Sequence, residues 1–198
     1  MEEYNKDQLY KRNVVLYLES SPNPNSLKFV ANFMLVPEGL SFDFPDKESA
    51  KDSDLALDLF NFDYIKRVFV MSNFITVTKN ENLEWDGIQK EIKTLIHEFL
   101  ETEKPVINEN ATPSNQIEED DPETVKKIKV ILDEYVKPAV EQDGGAIIFD
   151  SFNDGIVKLQ LQGSCSGCPS STITLKAGIE NLLKSMMPEV QSVEAESI

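Results

Sequence analysis

The sequence predicts an α+β protein of two small domains, and three observations carry that reading. In both halves of the chain, runs rich in β-branched and aromatic residues alternate with segments whose apolar residues recur every three or four positions. Between positions 103 and 122 large apolar residues thin out, three prolines appear (Pro105, Pro113, Pro122) and the stretch closes on Glu118-Glu119-Asp120-Asp121. A length of 198 residues, 40% of them hydrophobic, suffices for one or two small cores. The expected division is a domain over 1–104, a linker over 105–121 and a second domain over 122–198. The linker carries five acidic and no basic side chains, so self-repulsion should keep it extended and let the two halves move.

The first half reads as mixed strand and helix. Residues 13–19 suggest a strand, followed by the turn-rich Ser20-Ser21-Pro22-Asn23-Pro24-Asn25 and a second strand over 26–31. A further apolar stretch, 33–36, stops at Pro37. Residues 49–60 show helical spacing with Ala56, Leu59 and Phe60 as the buried face. Two strands, 67–71 and 74–78, flank Ser72-Asn73 and predict a tight hairpin. Residues 85–101 then form a helix with Trp85, Ile88, Ile92, Leu95, Ile96 and Phe99 along one stripe. No catalytic constellation emerges here. His97 lies one position off that stripe with no histidine or cysteine near it in sequence, which reads as packing or surface. The prolines and asparagines of 20–25 are what any turn between strands requires, so that loop is read structurally.

The second half is more informative. Residues 122–140 place Val125, Ile128, Ile131, Leu132, Tyr135 and Val136 on one helical face, with Asp120 or Asp121 available as N-cap. Pro138 should bend or end that helix. Asp143-Gly144-Gly145 supplies glycines for a chain reversal. Strands 146–152 and 156–161 join through Asn153-Asp154-Gly155, a hairpin signal. A helix over 172–187 should bury Ile173, Leu175, Ile179, Leu182, Leu183 and Met186, with the Met186-Met187 pair filling core. A short strand over 190–193 completes an αββαβ unit.

Composition narrows function. A net charge of -16 argues against nucleic acid or an anionic membrane as partner. No apolar run approaches the roughly 18 residues of a membrane span, and the polar, mixed-charge N-terminus resembles neither a secretory signal nor an Arg-rich transit peptide. Two near-neighbour cysteines do not make a secreted disulfide framework, so a reducing cytoplasm is the expected location.

Chemistry concentrates in Gly163-Ser164-Cys165-Ser166-Gly167-Cys168-Pro169-Ser170, which holds both cysteines of the chain as a Cys-x-x-Cys pair. It falls between a strand and a helix, where the macrodipole and unpaired amides favour a thiolate. A closed zinc site or a cubane iron-sulfur cluster needs four thiolates or imidazoles, and this chain offers Cys165, Cys168 and a distant His97. One chain cannot close such a site. A redox dithiol, an inert disulfide or a half-site completed by a second copy remain, and spacing alone favours the dithiol.

Larger patterns then point to a family. Lys137-Pro138 through Asp143-Gly144-Gly145, Gly163-x-Cys165-x-Gly167-Cys168-Pro169-x-Ser171, Thr174-Leu175-Lys176 and Pro188-Glu189-Val190 resemble the C-terminal domain of NifU. The stretch Pro22-Asn23-Pro24-Asn25-Ser26-Leu27-Lys28-Phe29 is similar to the signature of the Nfu N-terminal domain, so the whole chain resembles an Nfu-type iron-sulfur carrier. That resemblance implies a carrier rather than an enzyme. It implies a 4Fe-4S cluster bridged between two subunits by Cys165 and Cys168 of each, a homodimer when loaded, and partners among apo iron-sulfur client proteins and cluster assembly factors. One departure is Ala146, where many relatives carry an acidic or polar residue. A thiol-disulfide oxidoreductase is the competing class, although such enzymes usually place an aromatic before the first cysteine and here Gly163-Ser164 precede it. The first half, lacking a ligand set, is expected to recognise clients or assembly factors.

Overall fold

The computed structural model describes residues 12–109, 111–112, 121–166 and 169–197. The first domain is an antiparallel sheet of β1 (Leu16–Ser20), β2 (Ser26–Ala31), β3 (Ser41–Phe44), β4 (Ile65–Met71) and β5 (Phe74–Lys79), in the order β1-β2-β5-β4-β3. Strand alternation sorts its two faces. Phe29, Ala31, Val68, Val70, Ile75 and Val77 share a core with Leu55, Ala56 and Leu59 of α1 (Asp54–Leu59) and Ile92, Ile96 and Phe99 of α2 (Trp85–Glu101). The opposite face carries Lys28, Val30, Phe69, Met71, Phe74 and Thr76. Among the described residues, α1 and α2 therefore pack on one side of the sheet.

Local chemistry explains most of these elements. Ser53 caps α1 by accepting from the Ala56 amide at 3.1 Å, preceded by a 3-10 turn over Ser49–Asp52. The β4–β5 hairpin turns at Ser72, whose φ of 49° is the left-handed conformation a two-residue hairpin loop requires. Residues 33–36, expected as a further apolar segment, form a loop instead: the Leu35 and Val36 amides both donate to the Ser72 carbonyl, at 2.7 and 3.1 Å, and no ladder can grow from one acceptor. β3 carries little strand signal in the sequence, because Ser41-Phe42-Asp43-Phe44 is short and lies between Pro37-Glu38-Gly39 and Pro45.

In the second domain, α3 (Glu123–Ile131) widens into a π turn (Leu132–Val136) and resumes as α4 (Lys137–Gln142). Pro138 has no amide proton, and its ring crowds the carbonyl four residues back. Widening the preceding turn relieves this, and the Lys137 amide donates five residues back to Leu132. Asp121 does not cap α3. It pairs with Lys129, and Pro122 takes the N-cap position.

Strands β6 (Gly145–Asn153) and β7 (Ile156–Gly163) pair antiparallel across Asp154-Gly155, both at positive φ, with a bulge at Asp150. Helix α5 (Pro169–Met186) then crosses over so that β8 (Ser192–Ser197) lies parallel to β7, giving the order β6-β7-β8. The core joins Ile128, Leu132 and Val140 to Val157, Leu159, Leu161, Ile179, Leu183 and Val193. Three residues expected on the apolar helical faces are outside: Tyr135 is 53% exposed, Ile173 70% and Met186 46%. Ile173 lies six residues before Ile179, which places it about 120° around the helix from that buried position. Met187, not Met186, fills the core.

The stretch expected to be an extended linker is partly tied down. Val106 is buried against the first domain, its carbonyl accepts from Ser53 Oγ at 2.7 Å, and the Asn108 amide donates to the Asp52 carbonyl at 2.8 Å. Among the described residues no helix is long and apolar enough to cross a membrane.

Candidate functional site

The two domains meet at the cysteine loop. The α4–β6 turn and the end of β7 press on the face of the first sheet that α1 and α2 leave uncovered. Ala146 packs there against Phe69, Met71 and Phe74. Thr76 Oγ1 donates to the Gly144 carbonyl at 2.7 Å, and Lys28 Nζ donates to the Gln142 carbonyl at 3.3 Å. Gly163, at φ +61°, sits so close that a Cβ would lie 2.9 Å from the Phe69 ring.

Beyond Gly163 the chain turns before α5. The Cys165 amide donates to the Gln162 carbonyl at 3.3 Å and the Ser166 amide to the Gly163 carbonyl at 3.2 Å. These bonds fold Cys165 inward, and it is 6% exposed. Cys168, Gly167 and the side chain of Ser170 lie outside the described residues.

The Cys165 sulfur occupies space that a missing side chain vacates. A Cβ on Gly145 would lie 2.8 Å from Cys165 Sγ and 2.6 Å from the Gln162 carbonyl oxygen. Asp143-Gly144-Gly145 thus does more than reverse the chain. Gly144 supplies the turn, at φ +84°, while Gly145 leaves room for sulfur. Ser164 Oγ donates its single proton to the Asp143 carbonyl at 2.6 Å. The 3.9 Å contact between Ser164 Oγ and Cys165 Sγ is then one in which the thiol donates.

Side chains of the first domain complete the surroundings. Asn23, only 3% exposed, donates from Nδ2 to the Ser164 carbonyl at 3.0 Å, while its Oδ1 accepts from the Asn25 amide at 3.0 Å. Trp85 Nε1 secures the same loop by donating to the Pro24 carbonyl at 2.9 Å. The loop read as ordinary turn chemistry is a turn that also grips the cysteine segment. No local signal announces this, because an Asn that folds a turn and an Asn that reaches across a domain boundary are spelled alike.

Asp43 accepts from the Gly163 amide and from Arg67 Nη1, the latter at 2.5 Å. Burial pushes its carboxyl up to about 6, against the opposing pull of the Arg67 guanidinium and the Gly163 amide. Burial likewise raises Asp143 above the ordinary carboxylate range, with Lys28 opposing. A cleft of about 400 Å³ opens beside the sulfur, bordered by Pro22, Asn23, Asp143, Ser164, Cys165, Thr174 and Leu175. His97 is remote from it: Nε2 lies 3.1 Å from the Val14 carbonyl, a packing role. The donor set is soft sulfur beside a cleft with polar and apolar walls, which suits iron or zinc better than a hard cation.

Comparison with known proteins agrees with this architecture. Residues 16–103 match the family described as scaffold protein Nfu/NifU N terminal, and residues 128–194 match the NifU-like domain. The mitochondrial NFU1 iron-sulfur cluster scaffold homologue of Drosophila persimilis is 43% identical over 186 residues, 93% of this chain and 66% of the relative. That of Drosophila grimshawi is 45% identical over 178 residues, 89% of this chain and 59% of the relative. A NifU-like protein from Saccharomyces cerevisiae, solved by NMR, aligns over 56% of this chain and 100% of its own at 22% identity, with a TM-score of 0.46. The chain spans 59–66% of the length of these two fly relatives.

The relatives overturn the expected cytoplasmic location, since they are mitochondrial by name. The cysteine count led astray because it reports only a reducing compartment, and a mitochondrial matrix is reducing too. With both halves matched in order, the chain belongs to the Nfu family.

Proposed function

We propose that this protein is a mitochondrial iron-sulfur cluster scaffold and carrier. Cys165 and Cys168 bind a 4Fe-4S cluster as cargo, two chains share one cluster, and the loaded homodimer passes it to apo iron-sulfur client proteins. The observation that carries this reading is the ligand count set against position. The chain has two cysteines and one histidine. His97 is committed to the Val14 carbonyl in the first domain, while Cys165 of the second borders a cleft whose far wall is Pro22 and Asn23. Half of a four-ligand cage is therefore all that one chain offers, and a two-fold pairing of the same loop supplies the rest.

The site's chemistry suits a donor more than a permanent holder. A cluster held at a separable contact leaves when the contact opens, whereas four ligands from one chain would retain it. The protein binds and releases without making or breaking bonds in a substrate of its own, so it acts as a carrier rather than an enzyme. The test is anaerobic reconstitution followed by incubation with an apo-acceptor, using the wild type, Cys165→Ser and Cys168→Ser. Wild type should load and transfer, and neither variant should retain iron or sulfide. Insulin reduction by the wild type, with no iron uptake, would replace this reading with that of a thiol-disulfide oxidoreductase.

A further inference from the structure

The cysteine segment is covered by the chain's own first domain. Ser164, Cys165 and Ser166 are 2, 6 and 5% exposed. Cys165 packs on one side into the core of its own domain, and on the other it faces Pro22 and Asn23. The segment leading to it is held from across the domain boundary, by Asn23 on the Ser164 carbonyl, Asp43 on the Gly163 amide, Phe69 against Gly163, and Thr76 on the Gly144 carbonyl. Four separate contacts converge on the two residues before Cys165 and on the turn beneath it. Such a surface is built to hold this loop.

A shared cluster makes the opposite demand. Metal–sulfur bonds are about 2.3 Å long, so sulfurs from two chains, each on a different iron, must both reach the same compact cluster. A second chain's loop would have to enter where Pro22 and Asn23 now stand. Resting on the shared-cluster reading above, we infer that the first domain and a second copy of the chain compete for the cysteine face. In the apo monomer the first domain caps the loop. Loading requires the cap to come away from the loop, and the cluster-bridged dimer holds it off.

Two consequences follow. The affinity of two chains for one another is reduced by whatever the cap contributes, so weakening the cap raises it, by the reciprocity of linked equilibria. Loading also uncovers Phe69, Met71 and Phe74, an apolar face exposed only when cargo is aboard. The first domain's part in delivery then begins with its release from the loop.

Ala146 provides the handle for a test, because its side chain packs only with first-domain residues in that small cluster. Ala146→Glu places a charge beneath Phe69, Met71 and Phe74. Asn23→Ala combined with Thr76→Val removes two cross-domain hydrogen bonds and serves as the milder variant should the first fail to fold. In the full-length chain carrying Cys168→Ser, alkylation of Cys165 by iodoacetamide is timed. Both cap variants should react at least tenfold faster than the parent. With Cys168 restored, they should also load a cluster and dimerise at several-fold lower protein concentration. Equal alkylation rates in parent and variants would overturn the cap. Faster alkylation with unchanged dimerisation of loaded protein would overturn the competition. If alkylation accelerates but no form, wild type included, takes up iron, the shared-cluster reading falls and the competition falls with it, while the interdomain contact stands.

Discussion

Gly145→Ala tests whether the glycine pair exists to seat the sulfur. The added Cβ would lie 2.6 Å from the Gln162 carbonyl oxygen, 2.8 Å from Cys165 Sγ and 3.2 Å from the Cys165 amide nitrogen. Ordinary carbon contacts are made at about 3.5–4.0 Å, so the intrusion is close to an ångström against two atoms at once. The carbonyl belongs to the β6–β7 ladder, where Gly145 pairs with Gly163, and it cannot rotate aside. Overpacking of this kind costs roughly 1–3 kcal/mol, and a rigid backbone neighbour places the cost near the top of that range. In a chain of this length roughly 3 kcal/mol lowers Tm by about 6–12 °C. Urea denaturation of Gly145→Ala, Cys165→Ala and the double variant separates the two clashes. Removing the sulfur should recover about 1 kcal/mol, leaving the carbonyl clash in place. Strict additivity, or a Gly145→Ala protein as stable as the parent, would refute the claim that sulfur occupies the vacated space.

The buried pair on the first sheet gives further expectations. Arg67→Met strands the Asp43 carboxylate, whose side chain is 4% exposed, and should cost about 3 kcal/mol in urea denaturation at pH 7.5 and clearly less at pH 5, where the group can protonate; equal losses at both values would contradict this. Asp43 holds its proton more tightly folded than unfolded, since burial raises its pKa from 3.8 to about 6. Its contribution to stability is therefore greatest below about pH 4 and is lost as pH rises through about 6, an effect of up to roughly 3 kcal/mol. The stability difference between wild type and Asp43→Asn, measured from pH 4 to 7, should shift against the wild type as pH rises; a flat or reversed trend would show that burial does not control this carboxyl. Trp85→Phe removes the hydrogen bond to the Pro24 carbonyl that secures the 20–25 loop and should accelerate Cys165 alkylation several-fold; an unchanged rate would show that the loop is held without it.

Where the sequence reading succeeded, local chemistry and tertiary demand agreed. Ser72-Asn73 and Asp154-Gly155 turn hairpins because a two-residue connection needs left-handed backbone, and the stripe from Ile88 to Phe99 buries itself because its period is helical. The failures have physical reasons of their own. Ser41-Phe42-Asp43-Phe44 is too short to stand out as a strand, yet its neighbour β4 and the buried Arg67 hold it in the sheet. Asp121 had two uses open to it, capping α3 or pairing with Lys129, and sequence spacing does not rank them.

The site was legible in its chemistry and illegible in its surroundings. Cys165 and Cys168 stood out as the chain's only thiols, and counting them showed that a four-ligand site would need a second chain while leaving a redox dithiol open. Nothing in the spelling of Asn23, Asp43 or Phe69 ties them to a loop more than 90 residues away; that link exists only once the sheet presents its uncovered face. Ala146 could be noticed as a departure but not understood until Phe69, Met71 and Phe74 were found against it.

Native mass spectrometry of the anaerobically reconstituted protein, with iron and sulfide counted in the same sample, bears most directly on the half-site. The account predicts an apo monomer and a loaded species of two chains carrying one four-iron, four-sulfide cluster. A complete cluster on a single chain, or a dimer that carries none, would contradict it.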